Sequence, residues 1–156
     1  VDDVLTPTVV AMIGFIKARL DEAEHDARQA IGTAVFQRQT GHWIHRDVPD
    51  EYGPRLIVFA VAEGAEGTAR TQVADLTAAW EGPERAVHIA RHDPARVLAE
   101  IEATRKIVAN CSTALDQAWQ VGEEARAAVA HLAVRTLQHL VQLDATHPDY
   151  DPGWVL

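Results

Sequence analysis

The chain has 156 residues, enough for one domain built on a single core. Hydrophobic residues make up 47% and charged residues 24%, a globular balance that excludes wholesale disorder. With 14 Lys+Arg against 23 Asp+Glu, the formal charge of −9 repels a nucleic-acid duplex, and Lys17 and Lys106, the only lysines, make no basic run to override it.

Cys111 is the single cysteine, so an internal disulfide and a cysteine-rich metal site are both out of reach. This suits a reducing compartment. Asp2 and Asp3 stand where a signal peptide needs positive charge, and the uncharged stretch 4–16 is too short for a bilayer span. The expectation is a cytoplasmic chain with no membrane association.

In chain order, Thr6-Pro7 starts a helix: the Thr6 hydroxyl can cap it, and Pro7 suits the first helical position, where its missing N–H costs nothing. Val9, Ile13, Ile16, Leu20, Ala23, Ala27 and Ala30 then recur at spacings of four and three, one apolar stripe over residues 7–31. Gly32 ends it. Residues 34–76 change character and predict a small antiparallel sheet. Its first strand runs near Trp43, with His45 and Asp47 on the same side as Trp43. Arg55 to Ala62, rich in β-branched residues between turn signals, is its central strand. Thr68 to Leu76 alternates as a third strand, with a helix from Thr71 to Trp80 as the competing reading.

Pro83 opens a helix over 83–92, with Glu84 in its first turn. Asp93-Pro94 ends that helix and caps the next, because the residue before proline is pushed out of helical angles while aspartate is a strong N-cap. The helix 94–119 carries Val97, Ile101, Val108, Cys111 and Leu115 on its apolar side. After Gly122 a helix over 123–143 presents Val129, Leu132, Thr136, Leu140 and Leu143 as its core stripe, with Ala125 leading in. The tail 144–156 holds Tyr150 and Trp154 and is expected to pack back onto the body, since a solvated tail has no use for large rings. The fold class is therefore α+β and mostly α: a long N-terminal helix, a small antiparallel sheet, then a helical hairpin, all in a single domain over 1–156.

The run His88-Ile-Ala-Arg-His92-Asp93-Pro94, continuing to Ile107, resembles the signature of an uncharacterised actinobacterial and phage-associated family, the domain of unknown function (DUF) 6221. The acidic amphipathic stretch from Phe15 to Ala27 and the His147-Pro-Asp-Tyr150-x-Pro-x-Trp154 tail resemble that family's opening and closing blocks, in the same order. The resemblance implies cysteines of a zinc-binding loop between the middle block and the tail. This chain has Cys111 alone, so that loop is not carried over. The resemblance implies no activity.

The residues offer few centres for chemistry. His88 and His92 are four apart, so both imidazoles share one helical face and can hold a divalent metal; Asp93 is adjacent, and His25 on the first helix is a further ligand. Architecture accounts for much of the same run: a cation at a helix C-terminus is favoured by the dipole. Crowded acids at Asp21, Glu22, Glu24 and Asp26 read as a solvated face. Ser112, the single serine, has no nucleophile elbow around it, and no glycine-rich phosphate loop is present. Trp43, Trp80, Tyr150 and Trp154 are large amphipathic rings suited to anchoring a protein interface. The leading expectation is a non-enzymatic accessory or interaction protein that binds a protein partner or itself. A metal-binding protein or metal-dependent hydrolase on His88 and His92 is the alternative. No obligatory cofactor, nucleic acid or membrane is expected.

Overall fold

The computed structural model of the chain describes residues 6–31, 39–49, 51, 55–64, 67–76, 82–117 and 122–155. Its elements follow in the order α1 (Pro7–Ile31), β1 (Gln39–Val48), β2 (Arg55–Gly64), β3 (Gly67–Asp75), α2 (Gly82–Arg91), α3 (Pro94–Gln117) and α4 (Glu123–Val141). Two short 3-10 turns, Gln142–Asp144 and Pro152–Trp154, close the chain. The fold is α+β and mostly helical. No described helix is long and apolar enough to cross a membrane. Contacts divide the chain into two compact units, 1–22 with 101–156 and 23–100, and the divisions fall inside α1 and inside α3.

In the first unit, α1 starts where the Thr6-Pro7 signal places it: the Val9 amide donates to Thr6 Oγ1 at 3.3 Å and the Val10 amide to the Thr6 carbonyl at 3.1 Å. Val9, Met12, Phe15 and Ile16 from α1, Val108, Cys111 and Leu115 from α3, and Ala133, Leu137 and Val141 from α4 form one buried cluster. Met12, Val108, Leu115, Leu137 and Val141 are almost wholly out of water, and full burial of such side chains contributes about 1.5–3 kcal/mol each. The tail completes this core. Trp154 is buried, its ring centroid 5.1 Å from that of Phe15, and Tyr150 meets Phe15 edge-on at 6.2 Å. Gln138, a buried amide on α4, donates through Nε2 to the Trp154 carbonyl at 2.8 Å, and Asp151 Oδ1 accepts from the Gly153 amide at 2.8 Å. The fold-back is therefore held by rings and by polar groups that would be costly to leave unpaired. Arg19 lays its guanidinium 5.4 Å from the Phe15 ring centroid while pairing with Glu22 at 2.9 Å.

The expected core stripe of α4 holds at Leu140, which packs against the core, and needs correction elsewhere. Leu132 is 69% exposed and Leu143 76%, and Val129 is exposed as well. The buried side is Ala133, Leu137 and Val141, with Ala130, Val134 and Leu140 packed beside it. The physical reason is composition. Alanine, valine and leucine cover so much of this helix that two apolar stripes coexist, and periodicity alone does not say which one meets the core.

In the second unit, β1, β2 and β3 form an antiparallel meander with β2 central. Residues 67–75 are a strand, so the helical alternative from Thr71 to Trp80 is not adopted over that range. Trp43 pairs with Ala60, His45 with Val58 and Asp47 with Leu56, and the register shifts between Gln39 and Trp43. A second shift, between Val58 and Phe59 on the β3 side, leaves Val73 without a paired residue on β2, and Val73 is exposed. Arg55 and Asp75, at the ends of the outer registers, form an ion pair. Ile57, Val58 and Ala60 are the buried side chains of β2 among the described residues. Helix α2 packs against β1 and β2, and Ala86 on it is fully buried. A residue without side-chain bulk lets a helix lie close to a sheet.

Candidate functional site

The joint between α2 and α3 carries most of the candidate residues. Helix α2 ends at Arg91, and His92 and Asp93 make the turn into Pro94. Asp93 is buried and fully employed. Its Oδ1 accepts from the Arg96 amide at 2.7 Å, which is the N-cap of α3; its Oδ2 accepts from the Trp43 amide at 3.3 Å and from His42 Nδ1 at 3.0 Å. The imidazole must donate there, because an ionised carboxylate only accepts. One carboxylate thus ties the start of α3 to the backbone and side chain of β1. Trp43 enters this joint through its amide, and its ring is half-buried.

His88 and His92 are not among the partners of Asp93. Both are exposed, and their rings lie 4.2 Å apart between centroids at an interplanar angle of 38°. The spacing of one helical turn brings the two imidazoles together, as four-residue separation requires. The His92 amide and its Nδ1 both reach the His88 carbonyl, at 3.1 and 2.9 Å. A carbonyl only accepts, so Nδ1 of His92 is the donor in this contact. Pro83, Glu84, Val87, His88, Arg91 and His92 line one open groove of about 430 Å³ on this side of α2.

The four proposed metal residues are not gathered into one set. Among the described residues no three His, Cys, Asp or Glu side chains converge on a common point. His25 is exposed on α1, and Asp93 is turned toward β1. Sequence reasoning passed over Glu84, which stands four residues before His88 as His88 stands four before His92. That repeat was readable from spacing alone; only the groove shows that all three share one surface.

The aromatic candidates divide. Tyr150 and Trp154 are spent inside the first unit against Phe15. Trp80 lies outside the described residues. Among the described residues Val10, Val73 and Ile107 are exposed singly on other elements, and three exposed apolar side chains, Val129, Leu132 and Leu143, fall on α4 and the 3-10 turn that continues it. Ala125, Val129, Leu132, Thr136, His139 and Leu143 follow one another at spacings of four, three, four, three and four, and of these only Thr136 is partly covered. The Thr136 hydroxyl donates to the Leu132 carbonyl at 2.8 Å, so it brings no unpaired donor to that surface. From Ala125 to Leu143 the chain carries Arg126, His131, Arg135 and His139 but no Asp or Glu.

Cys111, the one thiol, is buried in the same unit. Burial raises it above the ordinary value of 9.0, against a smaller lowering by a side-chain hydrogen bond with Thr136. A protonated thiol among apolar side chains is a packing group and a poor nucleophile.

No curated protein and no solved structure matches the chain. A family model matches it from residue 9 to residue 156, in agreement with the three blocks noted in the sequence and extending over the sheet and α4 between them. The chain belongs to the family of unknown function DUF6221.

Proposed function

We propose that this protein is a non-enzymatic, cytoplasmic accessory protein that works by docking a helix of a protein partner along α4. The observation that carries this reading is the exposed four-three stripe from Ala125 to Leu143. A stripe confined to these two positions of a heptad is the seam of a two-helix contact, narrower than the face a helix buries in its own core. Leucines as exposed as Leu132 and Leu143 are tolerated singly on any surface, but a row of apolar side chains in helical register is an interaction surface. The charge pattern favours an acidic partner helix: this segment is acid-free and cationic in a chain whose formal charge is −9.

The alternative, a metal-dependent hydrolase on His88 and His92, has the imidazole pair in its favour. It lacks a described carboxylate convergent with that pair, as a general base or third ligand would need to be.

The test is a comparison of the wild-type chain with Leu132→Asp and Leu143→Asp. A photo-crosslinker placed at position 129 should trap a partner protein in extract of the native host, and both substitutions should abolish the adduct. An adduct of undiminished yield in both variants overturns the reading. Light scattering on the purified chain identifies the other occupant: a dimer that the same substitutions dissociate makes the partner a second copy.

A further inference from the structure

A row of cation-bearing side chains borders the apolar stripe of α4. His131, Arg135 and His139 follow one another at one-turn spacing, and all three are exposed. A row at this spacing slants slowly round a helix of 3.6 residues per turn. His131 and Arg135 therefore stand beside the stripe, and His139 falls within it. We propose, on the docking reading, that this row receives the carboxylates of the acidic partner helix and that the contact is proton-gated, tightening on acidification.

The members of the row differ in how they hold charge. A guanidinium keeps its charge throughout the physiological range, whereas an imidazole gains or loses its own between about pH 5 and 8. With both imidazoles protonated, three cations stand on consecutive turns; with both neutral, Arg135 stands alone. None of the three side chains has a hydrogen bond, ion pair or ring contact among the described residues. Glu124, seven residues before His131, and Asp144, five after His139, are the nearest acids along the chain. On the elements packed against α4, Arg19 pairs with Glu22, Asp21 with Arg105 and Lys106 with Glu102. Lys17 on α1, Asp116 on α3, and His147, Asp149 and Asp151 in the tail are the other charged groups there, and none of them pairs with either imidazole. An incoming carboxylate thus meets no acid of the chain's own at this row.

The sign of the effect follows from linkage. A carboxylate beside an imidazole favours its charged form. Docking therefore takes up a proton from solvent for each imidazole that is neutral in the free chain and charged in the complex. Because such coupling is reciprocal, a contact that takes up protons strengthens as pH falls. Val129 and Leu132 supply apolar burial that does not titrate, so the seat persists in alkali and the row sets its strength. The sign also selects the occupant. An antiparallel two-fold pair of α4 helices sets this flank against its own copy, and added positive charge would loosen that pair.

Photo-crosslinking through position 129 in extract of the native host, at pH 8 and at pH 6, tests the gate. The quantity read is the concentration of chain that gives half of the maximal adduct. It should fall about tenfold from pH 8 to pH 6, because each exposed charge pair is worth up to about fivefold. His131→Gln combined with His139→Gln should leave the pH 8 value in place and abolish the fall. His131→Arg combined with His139→Arg should hold the pH 6 value at both pH values. Both positions are exposed, so the variants should fold, and far-UV circular dichroism at each pH verifies it. No response in the wild type, a response as large in the glutamine variant, or a loosening on acidification overturns the gate, while loss of the adduct in Leu132→Asp keeps the docking reading. The absence of an adduct at pH 6, or an adduct indifferent to Leu132→Asp, removes the docking reading and this proposal with it.

Discussion

The two units of this molecule are held together by different means. The unit of 1–22 and 101–156 is an apolar assembly: its cluster contains methionine, leucine, valine, phenylalanine and tryptophan side chains from three helices and the tail. The unit of 23–100 shows fewer buried apolar residues among those described, namely Ala27, Ile57, Val58, Ala60 and Ala86, and three of these are alanines. It relies on a two-ladder sheet and on a buried carboxylate, Asp93, that joins the start of α3 to β1. The contrast teaches where each kind of change is tolerated. An apolar core resists polar substitution and loses stability with each methylene removed, whereas a polar joint is sensitive to one particular atom.

The largest expected effect separates the two apolar faces of α4. Leu137→Ala removes a side chain wholly out of water and should cost about 3 kcal/mol, within the range of buried leucine truncations. Leu132→Ala, on the exposed face, should change stability by less than about 0.5 kcal/mol. Chemical denaturation of both variants is the measurement, and equal losses would contradict the burial pattern on which the docking surface rests.

A smaller effect should isolate the polar joint. Asp93→Ala deletes the cap of α3 and leaves the Trp43 amide without its carboxylate partner, at a cost of about 2 kcal/mol. Asp93→Asn keeps a capping oxygen and should cost less. Hydrogen exchange sharpens the comparison: protection should fall in β1 and at the start of α3 while α4 keeps its own. A uniform fall across both units would mean that they unfold as one.

The smallest effect is a dependence on pH. The Cys111 thiol is raised above its ordinary 9.0, chiefly by burial. The folded chain therefore holds this proton at pH values where the unfolded chain releases it. Stability from this group is complete below the unfolded value and declines as pH rises toward the folded one. Denaturation midpoints should drift downward above about pH 8.5, the ordinary thiol range, and Cys111→Ala should flatten the drift while lowering stability at neutral pH.

Much of the architecture was legible because it is local. Thr6 and Pro7 start α1, Asp93 and Pro94 start α3, and both signals act through hydrogen bonds within one turn of the chain. The central strand announced itself by its β-branched run between turns. The candidate sites were legible in part. His88 and His92 were found by spacing, and the rings do meet. Glu84 obeys the same spacing but resembles an ordinary first-turn acid, and its place in the groove depends on which side of α2 the sheet covers. Asp93 shows the reverse: its neighbour in sequence is His92, yet its partners beyond the cap are fifty residues away on β1.

Helix α4 marks the limit most clearly. Its sequence determined that it is a helix, that it is apolar over a wide arc, and that the stripe from Ala125 to Leu143 lies on one side. Tertiary structure alone decided that Ala133, Leu137 and Val141 meet α1 and α3 while Leu132 and Leu143 meet water. Periodicity is a property of one helix; burial is a property of what lies beside it. The same holds for the polar residues singled out at the start. The chain determined that His88, His92 and Asp93 sit at a joint between helices, and the neighbouring strand decided that the carboxylate turns inward and the imidazoles remain in the open groove.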